Sequence, residues 1–420
     1  MRKPPQNYRI FVEPEIRPII PFNLARNAVD TPKGYKYAAI EGNLKYSGRL
    51  DLALIVSDVP AVAAGTFTTN KFQAAPVLVA RENIQTNAQA RAIMINAGSA
   101  NACTGEEGLA NCKRSLELIA NAAGLNPSEI LPASTGVIGL QFDMAKWEAA
   151  TPVLAKAIGT HTGDDFAQAI MTTDTFPKTA SRVFSIDGKD VVVAGMAKGA
   201  GMICPNMATM LGTVITDAGI DKAMWQDIIK TAVDTSFNRV SVDGDTSTND
   251  CILALANGAS GVQVTDSTKD QIQHAITAIM RELAYQLVQD GEGATKVMHI
   301  TVRGAKSDAE ADMVARTVGH SPLVKTAMYG KDANWGRIVM AIGRSGADFE
   351  ANDVRLTMCG IELFRDGQPT DVDFDTLLKP YLEKRDILID IELGNGEGTA
   401  ELFASDLTHE YVTINADYRS

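Results

Sequence analysis

From Lys269 to Val288, Ile272, Ile276, Ile279, Leu283 and Leu287 recur every three or four residues, which predicts a long helix with one apolar face. Such a stripe needs a layer to cover it, and the chain supplies strand-length apolar runs on both sides of the helix. Leu52 to Val56 and Ala92 to Ile95 read as buried strands, the second leading into a turn-rich loop from Asn96 to Asn101. Helical spacing returns at Leu109 to Ala123 and Met144 to Ala157, and more briefly at Asp308 to Val318 and Arg337 to Ile342. Val354 to Met358, Ile387 to Leu393, Ala400 to Ala404 and Tyr411 to Asn415 read as strands. With helices and strands mixed in both halves and no repeat of roughly 20 to 50 residues, the expected class is a layered α/β sandwich. The first 30 or so residues are proline-rich and aperiodic, and read as a surface arm.

Composition narrows the function. At 420 residues and 45% apolar, the chain can bury a large core and is expected to form two globular units. Its net charge of -12 leaves no basic stripe for nucleic acid or an anionic membrane. No apolar run reaches the roughly 18 to 20 residues that cross a bilayer, and Glu13 and Glu15 argue against a transit peptide, so a cytoplasmic location is expected. Five cysteines without a C-x-x-C pair fit reduced, mostly buried thiols. Five histidines in no recognised metal spacing predict no metal site. Phosphate-loop spacing is missing too, and the cluster Gly394 to Gly398 reads as a hairpin turn between two strands.

The segment Lys198 to Gly212, K-G-A-G-M-I-C-P-N-M-A-T-M-L-G, suits neither regular element, because glycine and proline interrupt an apolar stretch. Lys198, Cys204 and Thr209 are its side chains with acyl-transfer chemistry. A threonine hydroxyl needs an adjacent base, and an N-terminal threonine carries one in its α-amine, with a reference pKa of about 7.7 to 8.0. By itself the segment is only suggestive of that chemistry and reads first as a glycine-rich connection between core strands.

The motif K-G-A-G-M-I-C-P-N-M-A-T-M-L resembles the self-cleavage signature of the ornithine acetyltransferase family, ArgJ, which splits between an alanine and a threonine, here Ala208 and Thr209. Further family-like blocks follow in order: Thr68 to Lys71, Asn96 to Gly105, Ser134 to Gly139, Met171 to Thr175, Thr235 to Asp250, Asp290 to Lys296 and Asn334 to Arg337. The likeness runs from about residue 30 to the C-terminus. It departs at Cys204, where the family often has histidine, and in the longer proline-rich arm.

The resemblance implies the sandwich fold shared with the DmpA-like self-processing aminopeptidases, cut into chains 1–208 and 209–420, with residues 1–30 as the arm of the first. It implies a heterotetramer of two of each chain and no diffusible cofactor. Thr209 would be the nucleophile, with the Thr135 hydroxyl and Gly136 N–H as oxyanion donors. Thr172, Lys198, Thr209, Glu292, Asn415 and Ser420 would contact the substrates N-acetylornithine and glutamate, with acetyl-CoA as a further donor in some members. The chemistry is consistent, since Lys198 suits the α-carboxylate of both substrates and Glu292 suits the ornithine ammonium. Read without the resemblance, Ser134 to Gly136 is a plain turn, Glu292 equally a helix-end charge, and the extreme C-terminus a place where chains fray.

Asp243, Asp245 and Asp250 invite a metal reading, but their spacing is not that of a calcium loop. Cys103 and Cys204 have no histidine nearby in sequence to activate them. Two other functions remain: an N-terminal-nucleophile amidase or aminopeptidase of the same fold, in which water takes the acyl group, and a non-catalytic metabolite-binding protein that stays uncut.

Overall fold

The apolar runs at Leu52 and Ala92 belong to longer strands of one mixed sheet. The structure is a computed structural model that describes residues 28–87, 89–204 and 210–417. The described residues form two units, 28–295 with 403–417, and 296–402.

The larger unit runs β1 (Tyr35–Ile40), β2 (Leu52–Phe67), α1 (Ala75–Thr86), β3 (Gln89–Ser99), α2 (Gly105–Ala123), β4 (Ile130–Val137), α3 (Met144–Lys156) and α4 (Gly163–Ala169). It continues through β5 (Lys178–Ile186), β6 (Lys189–Lys198), β7 (Leu211–Thr216), α5 (Lys222–Asp234), β8 (Val240–Ser241), β9 (Cys251–Ala256) and α6 (Lys269–Gln289). Its sheet has the order β4-β3-β2-β9-β7-β6-β5, with β1 beside β2. Two neighbouring pairs are parallel, β3 with β4 and β7 with β9. Each needs a crossover, and α2 and α5 provide it.

Both faces of this sheet are covered, which is why its strands read as unbroken apolar runs rather than alternating ones. Leu52 and Leu54 of β2 pack with Leu116 and Ile119 of α2 and Trp147 of α3. Ala53 and Ile55, pointing the other way, pack with Phe166 of α4 and with Met196 and Leu253. The predicted stripe of α6 is fully buried, and Gly195 of β6 lets it come close, because a Cβ there would lie 2.9 Å from Leu283 Cδ1.

Several sequence expectations need correction. Asn96 to Ser99 is not a loop but the end of β3, paired in register with β4. Ser134 to Gly136 likewise lies in β4, not in a turn. Tyr411 to Asn415 is not a strand but part of α11 (His409–Asp417), where the Thr408 hydroxyl accepts the Tyr411 N–H at 3.1 Å. That anchor overrides the strand preference of the Tyr-Val-Thr-Ile run. Helix α5 was not foreseen, although Trp225, Ile228, Ile229 and Ala232 carry its spacing and Asp221 caps it.

The smaller unit contains β10 (Val297–Ala305), α7 (Asp308–Gly319), α8 (Pro322–Tyr329), α9 (Trp335–Gly343), β11 (Arg355–Met358), β12 (Ile361–Arg365) and β13 (Gln368–Pro369). It ends with α10 (Phe374–Leu382), β14 (Asp386–Glu392) and most of β15 (Gly398–Ser405). The strand order is β13-β12-β11-β14-β10-β15. Since β10 lies between β14 and β15, Gly394 to Gly398 cannot be a hairpin turn. The segment carries the chain over the end of β10, and a Cβ on Gly396 would sit 2.0 Å from the Ala305 carbonyl oxygen.

Candidate active site

The end of β4 meets the end of β3 so closely that only glycine fits. Gly136 pairs with Gly98 at φ +130°, and a Cβ on it would fall 2.3 Å from the Gly98 carbonyl carbon. This contact fixes Thr135 at the rim of a cleft that Thr172, Lys198, Glu292 and Asn415 also line. The structure therefore brings six of the residues singled out in the sequence to one place, all within the larger unit. Ala208 and Thr209, the expected cleavage pair and nucleophile, and Ser420 lie outside the described residues. Met210, the residue bonded to Thr209, lines the cleft.

Lys198 ends β6 and is 8% exposed. Its ammonium donates to the Thr172 hydroxyl at 2.9 Å and to the Thr135 hydroxyl at 3.3 Å, which leaves the Thr135 proton available for an oxyanion. Burial lowers the Lys198 pKa and nearby Lys178 lowers it further, against the opposing pull of Asp174.

Behind it lies a buried charge network. Asp174 accepts from Lys178 Nζ at 2.7 Å, from the Gly199 N–H at 2.6 Å and from the Thr172 N–H at 3.0 Å. Burial alone would raise its pKa, but Lys178, Lys198 and these hydrogen bonds together hold it well below the ordinary carboxylate value. Lys178, fully buried, also meets Asp290 Oδ2 at 2.5 Å, and Asp290 accepts the Thr175 N–H at 3.0 Å. The segments bearing Thr172, Lys198 and Glu292 are thus tied through one lysine. Motif reading took Met171 to Thr175 and Asp290 to Lys296 as blocks but gave Asp174, Lys178 and Asp290 no role.

Glu292 is not a helix-end charge. It lies past the end of α6, 8% exposed, with its N–H on the Ala200 carbonyl at 2.8 Å. Its carboxylate receives Asn415 Nδ2 at 2.7 Å, so α11 is docked at the cleft. Gly201 makes room for it, because a Cβ there would lie 2.3 Å from Glu292 Oε2.

The aspartates weighed as a metal cluster are separately employed. Asp243 accepts the N–H groups of Met202 and Ile203 at 2.6 and 2.9 Å and shapes the loop after Lys198. Asp250 instead lines the cleft, 2% exposed. Cys112, Cys204, Cys251 and Cys359 are buried and Cys103 is exposed, none of them in a disulfide. Burial pushes the Cys112 thiol up to about 12. Among the described residues, no helix is long and apolar enough to cross a membrane.

Comparison with known proteins agrees with the motifs. The family model of the ArgJ family matches residues 36–420. The chain is 62% identical over 390 residues to the arginine biosynthesis bifunctional protein ArgJ of Nitratidesulfovibrio vulgaris, covering 93% of this chain and 99% of that protein. It is 44% identical over 391 residues to the protein of the same name in Geobacter sulfurreducens, covering 92% and 99%. A crystal structure of the Bacillus halodurans protein of that name is 39% identical, covers 49% of this chain and 98% of that one, and superposes with a TM-score of 0.47. With motifs in order, a family model spanning nearly the whole sequence and relatives covered almost end to end, the chain belongs to the ArgJ family.

Proposed function

We propose that this chain is a glutamate N-acetyltransferase of arginine biosynthesis, which moves acetyl from N2-acetylornithine to glutamate through an acetyl ester of Thr209. The observation that carries this reading is convergence: donors for an oxyanion, a buried cation and a buried carboxylate surround one cleft beside Met210. Thr209 Oγ attacks the acetyl carbon, with its own α-amine taking the hydroxyl proton. The Thr135 hydroxyl and Gly136 N–H stabilise the oxyanion, where losing one such donor typically costs roughly 3 to 4 kcal/mol. Lys198 holds the α-carboxylate, and Glu292, oriented by Asn415, faces the ornithine ammonium. Ornithine leaves, and glutamate takes the acetyl group.

The bifunctional name of the relatives supports acetyl-CoA as a second donor, giving amino-acid N-acetyltransferase activity. Thr209 gains its free amine by cleavage after Ala208, so the working enzyme consists of chains 1–208 and 209–420, two of each, in the cytoplasm, with Ser420 near the substrate. Intact-mass measurement tests this. Two fragments are expected, the second beginning at Thr209 and gaining one acetyl group when mixed with N-acetylornithine alone. Thr209→Ala stays whole and inactive. An active, uncut wild-type chain sinks the reading, and acetate released instead of N-acetylglutamate makes the protein an amidase.

A further inference from the structure

The exchange has a proton that Thr209 does not account for. In the first half, the amide C–N bond breaks and the ester C–O bond forms, and the Thr209 hydroxyl proton goes to the departing nitrogen. That yields a neutral amine, whereas ornithine enters water as an ammonium, so one more proton must reach it. In the second half, glutamate arrives as an ammonium and must lose one proton before its lone pair can attack. The other proton it gives up follows the Thr209 oxygen as the ester C–O bond breaks. Each turnover therefore delivers one extra proton to the leaving amine and removes one from the entering amine.

We propose that Asp250 stores this proton: its carboxyl gives it to the departing amine, remains a carboxylate in the acetyl-enzyme, and takes a proton from the incoming ammonium. The inference rests on the acetyl-threonine reading. Asp250 lines the cleft at 2% exposure, and its Oδ2 has no hydrogen-bond partner among the described residues. An open carboxylate oxygen buried in a substrate cleft is costly unless it receives a ligand proton or cation. The group is held rigidly. Its carbonyl accepts the Thr68 N–H at 2.9 Å, and it immediately precedes Cys251, which pairs with Leu211 of β7.

The other acids of the site are already committed. Glu292 is bonded to Asn415, and Asp174 accepts three donors and stays ionised. Burial raises the pKa of Asp250 well above that of an ordinary carboxylate, and the bonds from Ser247 and the charge of Lys198 offset this only in part. A carboxyl so placed can hold a proton in the empty cleft and yield it when an amine arrives.

The test compares two acceptors for pre-formed acetyl-enzyme under rapid quench. Glutamate must be deprotonated, whereas hydroxylamine is largely neutral at pH 7. In cleaved Asp250→Asn, transfer to glutamate should fall more than transfer to hydroxylamine by a factor of about 10² or greater, with Asp250→Glu recovering part of the difference. Equal losses for both acceptors, or none, overturn the proposal. If Asp250→Asn does not fold or cleave, the wild-type enzyme decides. Its glutamate step should stay level with pH where free glutamate amine rises about tenfold per unit. A rate that climbs with the free amine overturns the proposal. Wild-type protein that never acetylates its Thr209 chain defeats the acetyl-threonine reading itself, a result distinct from either.

Discussion

The two units are both α/β, yet they bury charge to different extents. In the smaller unit, ion pairs such as Lys331 with Glu383 and Arg355 with Glu392 lie in solvent. Its buried charged side chains among the described residues are Lys296 and Lys325, and Lys296 is met by the carbonyls of Leu382 and Lys384 at 2.6 Å. The larger unit buries Lys198, Asp250 and Glu292 in the lining of one cleft, with Asp174, Lys178 and Asp290 linked behind Lys198, and it also buries Asp51, Asp217, Glu282 and Asp406 elsewhere. Burying ions is expensive, and apolar residues of similar volume would often serve stability as well or better. Six of the ten buried charged side chains among the larger unit's described residues gather at that cleft, so the difference teaches that much of the cost falls where charges orient one another away from water.

Single substitutions can break that contrast. The largest effect is expected for Lys178→Met, which strands two buried carboxylates. Removing one partner of a buried pair costs roughly 3 to 5 kcal/mol, and adding Asp174→Asn should recover much of it. Denaturant midpoints measure both, with Lys331→Met in the smaller unit as the reference that should barely move. Should Lys178→Met prove as mild as that reference, the contrast between the units has no energetic content.

A smaller effect is expected at Asn415, whose bond to Glu292 joins α11 to the cleft. Asn415→Ala removes a hydrogen bond to a charged group, worth roughly 1.5 to 3 kcal/mol. It should appear mainly as a higher KM for N-acetylornithine with the melting temperature nearly unchanged. A lower melting temperature without a change in KM would make α11 a structural clasp instead.

The smallest effects are those of pH. Lys198, its pKa lowered chiefly by burial, loses its charge at a lower pH than an ordinary lysine at about 10.4. KM for glutamate should therefore rise on the alkaline side before free lysines titrate, and Lys198→Met should abolish that rise. Asp174 has the opposite sign. Its folded-state pKa is depressed, so its stabilisation is present above the unfolded value of about 3.9 and is lost as pH falls below that towards the folded one. Acid titration of Asp174→Asn should lack this component, and an unchanged acid transition would remove Asp174 from the account.

Local pattern sufficed for the elements that repeat a period, as in α6, and for strands buried on both faces, where composition alone marks them. Family-like blocks named Thr135, Gly136, Thr172, Lys198 and Glu292, because these lie in runs of chemically distinctive residues that can be matched one by one, whereas Asn415 lies outside those blocks and was implied by the resemblance alone. Neither source revealed the open carboxylate oxygen of Asp250, since in sequence it is one aspartate of three and only burial and hydrogen bonding separate it from Asp243. The docking of Asn415 at the cleft, the crossing at Gly396 and the hub at Lys178 were equally hidden. Each depends on partners far along the chain: Glu292 for Asn415, Ala305 for Gly396, and Asp290 for Lys178. Periodicity and motif are properties of neighbouring residues and were determined by the sequence itself. Burial and pairing depend on which distant segments fold together, so the tertiary structure alone decided which charges line the cleft and which hold them in place.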